Sequence, residues 1–178
     1  MIDTEAAERF MAAPWLGEID PDTKRAILNA LVEARAPNGA TLLEQGQPND
    51  HLCFLIDGTA IIERPNTKKG RRETITTLTA PALFGATSFF QPKPPTVTVR
   101  ATSDVWILSL YHPDHEALRT ANPRAADALA LAILRALSER FDLLDKLFSE
   151  LTARHSNEPD RVSEWAGFRA SLFEDHGS

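Results

Sequence analysis

The spacing of apolar positions changes twice along the chain, and each change predicts a different kind of structure. In the first 36 residues the apolar positions recur at helical spacing. They are Phe10, Trp15, Leu16 and Ile19, then Ile27, Leu28, Leu31 and Val32. Asp20 and Pro21 supply an N-cap and a first helical position. The pattern predicts two short helices before residue 37.

From residue 37 the apolar positions fall in short runs separated by turn residues. The main runs are ATLLEQ, HLCFLI, TAIIER, RRETITTLT, TVTVRAT and DVWILSL. Asp57-Gly58 predicts a tight hairpin, because both central positions of a type I′ turn need positive φ, and PNTKKG predicts a second hairpin. About eight strands with no helical pattern between them predict a jelly roll or compact barrel over residues 37–111.

Helical spacing returns at His112, with a short helix and then a long one from Pro123 to about Leu151. The long helix carries two apolar stripes, and one stripe is enough to dock it on its own barrel. The second stripe predicts a homodimer, and the alternative is one wide core face on a monomer. The predicted dimer residues are Ile133, Leu137, Leu144, Leu147 and Leu151, on a seam that also includes Ala126, Ala130 and Arg140.

The chain thus divides into N-terminal helices (1–36), a barrel (37–111), a helical segment (112–155) and a tail (156–178). The tail begins polar and then places five apolar residues at helical spacing, which predicts a short amphipathic helix. These residues are Val162, Trp165, Phe168, Leu172 and Phe173.

Composition narrows the function classes. The 178 residues include 19 Lys and Arg against 25 Asp and Glu, a net charge of −6, which argues against a domain that mainly binds phosphate backbones. No run approaches the ~18 apolar residues of a membrane span. The single cysteine, Cys53, excludes an intramolecular disulfide. We therefore expect a cytoplasmic protein without a membrane partner.

Metal and enzyme chemistry find little support in the sequence. The barrel region holds one histidine, His51, whereas a barrel metal site needs several converging ligands. His112 and His115 open a helix, where a capping or turn role is common, and Cys53 lies in an apolar strand. No nucleophile motif with a base is evident, so we expect no catalytic or metal-binding residues.

One hairpin carries the densest positive charge, from Arg64, Lys68, Lys69, Arg71 and Arg72. Such a cluster is able to contact nucleic acid or an acidic partner. It lacks the interleaved aromatics that stack on bases, and a solvated loop tip is the more economical interpretation.

The order of these segments resembles a known family over roughly residues 10 to 150. The similarity is carried by Pro37 and Gly39, the turn at residues 43–46, the strand and turn at residues 54–58, Phe84-Gly85, and Val99-Arg100-Ala101 leading to Asp104. This set resembles the cyclic nucleotide-binding domain of the catabolite activator type. The resemblance implies an α+β, mainly β fold: a double-stranded β-helix or jelly roll with N-terminal helices and a long C-terminal helix. It also implies common dimerisation through that helix and a small-molecule pocket under a phosphate cassette.

The resemblance also implies specific anchors for a cyclic nucleotide, and this chain departs from them. The family's ribose acceptor is the Glu of Phe-Gly-Glu, where this chain has Ala86. The family's phosphate-binding Arg falls on Pro95, which has neither a charge nor an N–H, while Thr96 keeps the hydroxyl position. Lys93 is a nearby substitute cation, and Arg140 falls near a purine-contacting position on the long helix. The candidate pocket is Phe84, Gly85, Ala86, Thr87, Lys93, Pro95, Thr96 and Arg140.

Three hypotheses follow. The first is a stand-alone, non-enzymatic regulatory module, homodimeric, whose pocket has lost the usual anchors and which acts through a protein partner or a less anionic ligand. The second is a cyclic AMP or cyclic GMP receptor with an altered cassette around Gly85, Thr87, Lys93 and Thr96. The third is a transcriptional regulator that binds DNA through a partner or through the basic hairpin. The residues after 155 are too few for the helix-turn-helix that follows the long helix in related regulators, so direct promoter binding is not expected.

Overall fold

The computed structural model describes residues 2–66, 70–91 and 93–155. They belong to two compact units, one ending at Ile133 and one beginning at Leu134. The tail helix predicted after residue 155 lies outside the described residues.

Helices stand at both ends of the described chain. α1 (Thr4–Met11), a 3₁₀ turn (Pro14–Leu16) and α2 (Pro21–Asn29) come first, and α4 (His112–Ala121) and α5 (Pro123–His155) come last. The side chains of Asp3 and Asp20 cap α1 and α2 by accepting hydrogen bonds from the amides of Glu5 and Thr23. A short helix that the periodicity did not predict, α3 (Ala86–Phe90), lies inside the strand region.

In the described part of the chain, eight strands form two antiparallel sheets. The strands are β1 (Val32–Ala36), β2 (Thr41–Leu43), β3 (His51–Asp57), β4 (Thr59–Asn66), β5 (Arg71–Thr79), β6 (Ala82–Phe84), β7 (Thr98–Ala101) and β8 (Val105–Tyr111). Sheet A has the order β1-β8-β3-β6, and sheet B has the order β2-β7-β4-β5. This arrangement confirms the predicted mainly β jelly roll with helices at its ends and a long final helix.

The prediction of a hairpin at Asp57-Gly58 is wrong. β3 pairs with β6 and β8, whereas β4 pairs with β5 and β7, so the turn carries the chain from one sheet to the other. Gly58 has φ +88°, but positive φ is confined to glycines among the described residues, so Asp57 does not meet the requirement of a type I′ turn. The hairpin predicted at PNTKKG is present between β4 and β5.

The N-terminal helical region ends earlier than the periodicity indicated. Leu31 and Val32 continue the apolar spacing of α2, yet α2 ends at Asn29 and Val32–Ala36 form β1. β1 pairs with β8 from Val32–Ser109 to Ala36–Val105. This long-range pairing outweighs the local helical pattern, as tertiary context commonly does.

Two apolar layers cover the faces of sheet A. One lies between the sheets and contains Leu43, Cys53, Leu55, Ala60, Leu78, Phe84, Val99, Ala101, Val105 and Ile107. The other lies under the N-terminal helices, where the ring of Phe10 meets that of Phe54 edge-on at 5.2 Å. β8 lies between β1 and β3, and six of its seven residues are buried. This explains its nearly continuous apolar sequence.

The second unit is described as far as α5 extends, to His155. Two of its large apolar side chains, Leu134 and Phe141, are 59% and 61% exposed. In the part of the chain that the structure describes, none of the helices combines the length and the hydropathy of a membrane-spanning segment.

Candidate functional site

The cassette segment, defined here as residues 84–98, carries the chain from β6 in sheet A to β7 in sheet B. It begins with a sharp turn at Gly85, which has φ +84° and precedes the first residue of α3. A Cβ on Gly85 would lie 3.0 Å from the carbonyl oxygen of His51. Glycine is therefore required both by the backbone conformation and by the close approach of β3.

Asn49 links α3 to the start of β3 by hydrogen bonds. Its Nδ2 donates to Ser88 Oγ at 2.9 Å and to the His51 carbonyl at 2.8 Å. Ser88 Oγ donates in turn to the Gly85 carbonyl at 3.1 Å. Sequence reasoning missed both side chains, and the only signal for Asn49 was its place among the turn residues of GQPND. The remaining polar atom, Asn49 Oδ1, is buried and has no hydrogen-bond partner.

At the two positions where the resemblance implies a ribose acceptor and a phosphate cation, the side chains are those of Ala86 and Pro95. Ala86 is 4% exposed in the first turn of α3. Pro95 is buried, and its carbonyl accepts a hydrogen bond from the Gly46 amide at 2.9 Å. The polar candidates Thr87, Lys93 and Thr96 are exposed. The anchor positions themselves therefore supply no charged or hydroxyl group.

The helix of the cassette segment, α3, packs on α4 through aromatic rings. Phe89 stacks on His112 with the ring centroids 4.3 Å apart and 9° between the planes, and it meets His115 edge-on at 5.4 Å. Burial is the main cause that lowers the pKa of His115, and the carboxylate of Glu116 at 3.9 Å opposes it. These histidines do more than begin a helix, because they form the contact between α3 and α4.

Arg100 lies on the outer face of sheet B, opposite to Val99, which packs between the sheets. Its Nε lies 3.2 Å from Glu63 Oε1, and Arg72 Nη1 lies 3.4 Å from the same oxygen. Arg72 Nη1 also donates to Thr98 Oγ1 at 2.7 Å. One member of the basic hairpin therefore reaches from β5 across β4 to β7, and it is more than a solvated charge.

A bulge in β5 makes this contact possible. Ile62 pairs with Thr76 and Glu63 pairs with Thr74, so Ile75 is left without a partner across the ladder. The extra residue reverses the alternation of β5 and turns Arg72 to the same face as Glu63.

The predicted dimer and ligand residues of the long helix are divided between the two units. Ile133 is 1% exposed at the end of the first unit, so its side chain is already covered within one chain. Leu137 is half-buried, and the side chains of Leu144, Leu147 and Leu151 lie outside the described part. Arg140 belongs to the second unit, where burial lowers the pKa of its guanidinium.

Cys53 carries the single thiol of the chain. Burial raises the pKa of the Cys53 thiol to about 12, and its sulfur lies 3.6 Å from Ser109 Oγ. In the part of the chain that the structure describes, no three His, Cys, Asp or Glu side chains are placed to hold a metal ion.

A family model for the cyclic nucleotide-binding domain matches residues 33–122, which is half of the chain. A CRP-like cAMP-activated global transcriptional regulator of Mycobacterium tuberculosis (strain CDC 1551 / Oshkosh) is 27% identical over 140 residues, covering 76% of this chain and 61% of the regulator. A cyclic nucleotide-gated potassium channel of Mesorhizobium japonicum, mll3241, is 28% identical over 116 residues, covering 65% of this chain and 30% of the channel. The chain thus spans under two thirds of the length of either relative.

A solved cyclic nucleotide-binding domain from Methylobacillus flagellatus KT has a similar fold. The two structures superpose with a TM-score of 0.72 at 21% identity, covering 82% of each chain. A solved N-terminal domain of a transcriptional regulator from Streptomyces coelicolor A3(2) gives a TM-score of 0.64 at 26% identity, over 76% of this chain and 94% of that domain.

Proposed function

The chain belongs to the cyclic nucleotide-binding domain family, and we propose that it is a homodimeric regulatory module that does not hold a cyclic nucleotide by the family's usual contacts. The observation that carries the proposal is the chemistry of the anchor positions: a buried Ala86 follows Gly85, and a buried Pro95 stands in the second position. The proposal assigns the module no enzymatic reaction and a cytoplasmic setting.

The missing anchors matter because a cyclic phosphate carries a negative charge that is costly to remove from water without a partner. A charge-assisted hydrogen bond to the phosphate and a hydrogen bond to the ribose together contribute several kcal/mol, on the order of a thousandfold in affinity. Pro95 has no N–H and no charge, and its carbonyl already accepts from Gly46. The exposed Lys93 would have to reorganise the segment around it to replace the cation.

Calorimetric titration with cyclic AMP and cyclic GMP tests the proposal. We expect no saturable binding at micromolar concentrations from the natural chain. We expect the double variant Ala86→Glu, Pro95→Arg to gain at least tenfold in affinity over it, with Ala86→Gln, Pro95→Gln as the control of similar bulk without the charges. Thermal melts establish that each variant is folded. Micromolar or tighter binding by the natural chain, abolished by Lys93→Ala or Thr96→Ala, would overturn the proposal.

One observation supports a second candidate, a cyclic nucleotide receptor with an altered cassette. The buried Oδ1 of Asn49 has no partner, and Asn49 Nδ2 would lie 3.5 Å from a Cβ on Gly85. An acceptor beside Gly85 is what a ribose hydroxyl would need in place of the missing Glu. In that case Asn49→Leu removes binding that the natural chain shows, whereas under our proposal the natural chain shows none to remove.

The homodimer rests on the exposed apolar residues of α5. Leu134 and Phe141 are seven residues apart and so share one face of the helix. Two large exposed side chains on one helical face are typical of a surface that a second copy covers. The seam proposed from the structure is therefore shifted by one residue from the one that the sequence predicted through Ile133 and Arg140.

A further inference from the structure

We propose that the outer edge of β1 is a second interaction surface, on which another copy of this chain adds its own β1 in antiparallel register. Sheet A would then continue across a two-fold axis at Ala34. This proposal depends on neither the cassette nor α5, because every residue in it belongs to the first unit.

β1 is the outermost strand of sheet A and pairs with β8 on one side. Among the described residues no other strand pairs with its second side. Two open cavities, of about 710 and 340 Å³, lie along β1, and Arg35 lines both of them. Together they are lined by every residue of β1 from Val32 to Ala36. The residues of this edge are exposed or half-buried, as strand addition requires.

The sequence of β1, Val-Glu-Ala-Arg-Ala, complements itself around its central residue. In an antiparallel pair with Ala34 on the axis, Glu33 of each copy lies opposite Arg35 of the other. An axis at Glu33 or at Arg35 would place two like charges directly opposite each other, and a parallel in-register pair would do so twice. Opposite charges across a strand pair are favourable and like charges are not. The charge order therefore selects a second copy in one register.

Both charged side chains are already held on one face of the strand. Glu33 accepts hydrogen bonds from the Asp3 amide and from Trp106 Nε1, each at 2.8 Å. The guanidinium of Arg35 lies 3.9 Å from the centroid of the Trp106 ring. A carboxylate accepts more than two hydrogen bonds, so Glu33 retains capacity for an arginine of the partner. Little side-chain freedom is lost on pairing.

The apolar positions fit the same register. Val32 is 48% exposed and would lie opposite Ala36 of the second copy. The smaller of the two cavities is lined by Asp57 and Asp104 as well as by Ala36, Pro37 and Val105, and its apolar part offers space for the incoming valine.

Oxidative cross-linking tests the register directly. The natural chain has one cysteine, which is 2% exposed, so an introduced thiol is the only accessible one among the described residues. We expect Ala34→Cys to form a disulfide-linked dimer under mild oxidation, because the two residues on the axis face each other within disulfide range. The matched control is Thr77→Cys, an exposed position on β5 at the edge of sheet B. Cross-linking of Ala34→Cys no faster than the control would overturn the proposal.

A charge reversal distinguishes association through the β1 edge from association through other surfaces of the chain. In the Ala34→Cys background, Arg35→Glu is expected to slow cross-linking at least tenfold, and adding Glu33→Arg is expected to restore it. Introducing Leu134→Asp into the same chain keeps the α5 surface from contributing. An unchanged rate with Arg35→Glu contradicts the proposal. Should the exchanged pair not fold, Val32→Lys is the alternative probe, and it too must slow the reaction at least tenfold.

Discussion

Gly58 and Gly46 have the same left-handed backbone but different surroundings. Their φ angles are +88° and +78°. A Cβ on Gly58 would lie 2.3 Å from the carbonyl oxygen of Asp104, whereas one on Gly46 would meet no atom within 4 Å. The first glycine is needed for close packing of two turns as well as for its conformation, and the second only for its conformation.

This difference predicts unequal costs for the same substitution. Gly46→Ala should lower the free energy of unfolding by about 1 kcal/mol, from the strained φ alone. Gly58→Ala should lower it by about 3 kcal/mol, because the backbone of residues 103–105 must also move. Urea denaturation of the two variants measures both values, and equal losses would contradict the argument.

The Cys53 thiol offers a second test at this scale. Its pKa is raised to about 12 because it is buried, so almost none of it is thiolate at pH 8. We expect a thiol reagent to leave the native protein unlabelled at pH 8 and to label it fully in denaturant. Labelling of the native protein as fast as that of a free thiol would show that the site is accessible.

At the scale of elements, α3 is held by contacts from outside its own five residues. Asn49 bonds to Ser88, and Phe89 packs against His112 and His115 of α4. A helix this short is not stable alone, so these contacts determine its position. The environment of His115 therefore affects how firmly the cassette is held.

This environment predicts a pH dependence of stability. The pKa of His115 is lowered by burial, with Glu116 opposing and Arg119 and His112 adding to the effect. The unfolded chain therefore binds the proton first, and stability falls as the pH drops from about 6.5 towards the lowered value in the fold. Above that range His115 is neutral in both states and has no effect on the slope.

We expect the free energy of unfolding to decrease between pH 7 and 5.5, and His115→Gln to make this decrease shallower. His51→Gln is the matched control: it removes another half-buried imidazole, whose Nδ1 lies 2.9 Å from Asp50 Oδ1. Denaturant titrations at several pH values measure the slopes. A steeper slope for His115→Gln would contradict the predicted direction of this effect.

At the scale of the whole molecule, the proposed homodimer depends on the apolar residues that α5 exposes. The predicted seam included Ile133, but that side chain is already buried inside one chain. Among the described residues of the second unit, the exposed large apolar side chains are Leu134 and Phe141. A partner helix would gain more apolar contact from these two than from positions that are already covered.

Sedimentation velocity tests this seam. Leu134→Asp and Phe141→Asp should each weaken self-association at least tenfold, and the double variant should sediment without the α5-mediated dimer. Glu139→Gln, on another face of the helix, should change nothing and serves as the control. A natural chain that shows no self-association at high micromolar concentration would contradict the seam.

Much of the fold was predictable because its causes are local. Capping aspartates, turn glycines and short apolar runs marked nearly all helices and strands, and the ordered motifs indicated the family. The proposal that the usual anchors are missing also came from the sequence, because an alanine and a proline side chain lack the required groups in any conformation. The role of Asp57-Gly58 was not predictable, because a tight turn between two strands does not specify whether they pair.

By itself, the sequence determined which residue types stand at each motif. It therefore determined that the side chains of Gly85, Ala86 and Pro95 carry no charge and no hydrogen-bonding group. Only the tertiary structure decided which side chains meet across long separations: β1 with β8, Asn49 with Ser88, and Arg72 with Glu63 and Thr98. The physical reason is that periodicity and propensity act over a few residues. The pairing of distant strands depends on the free energy of the whole packed arrangement, which no local pattern contains.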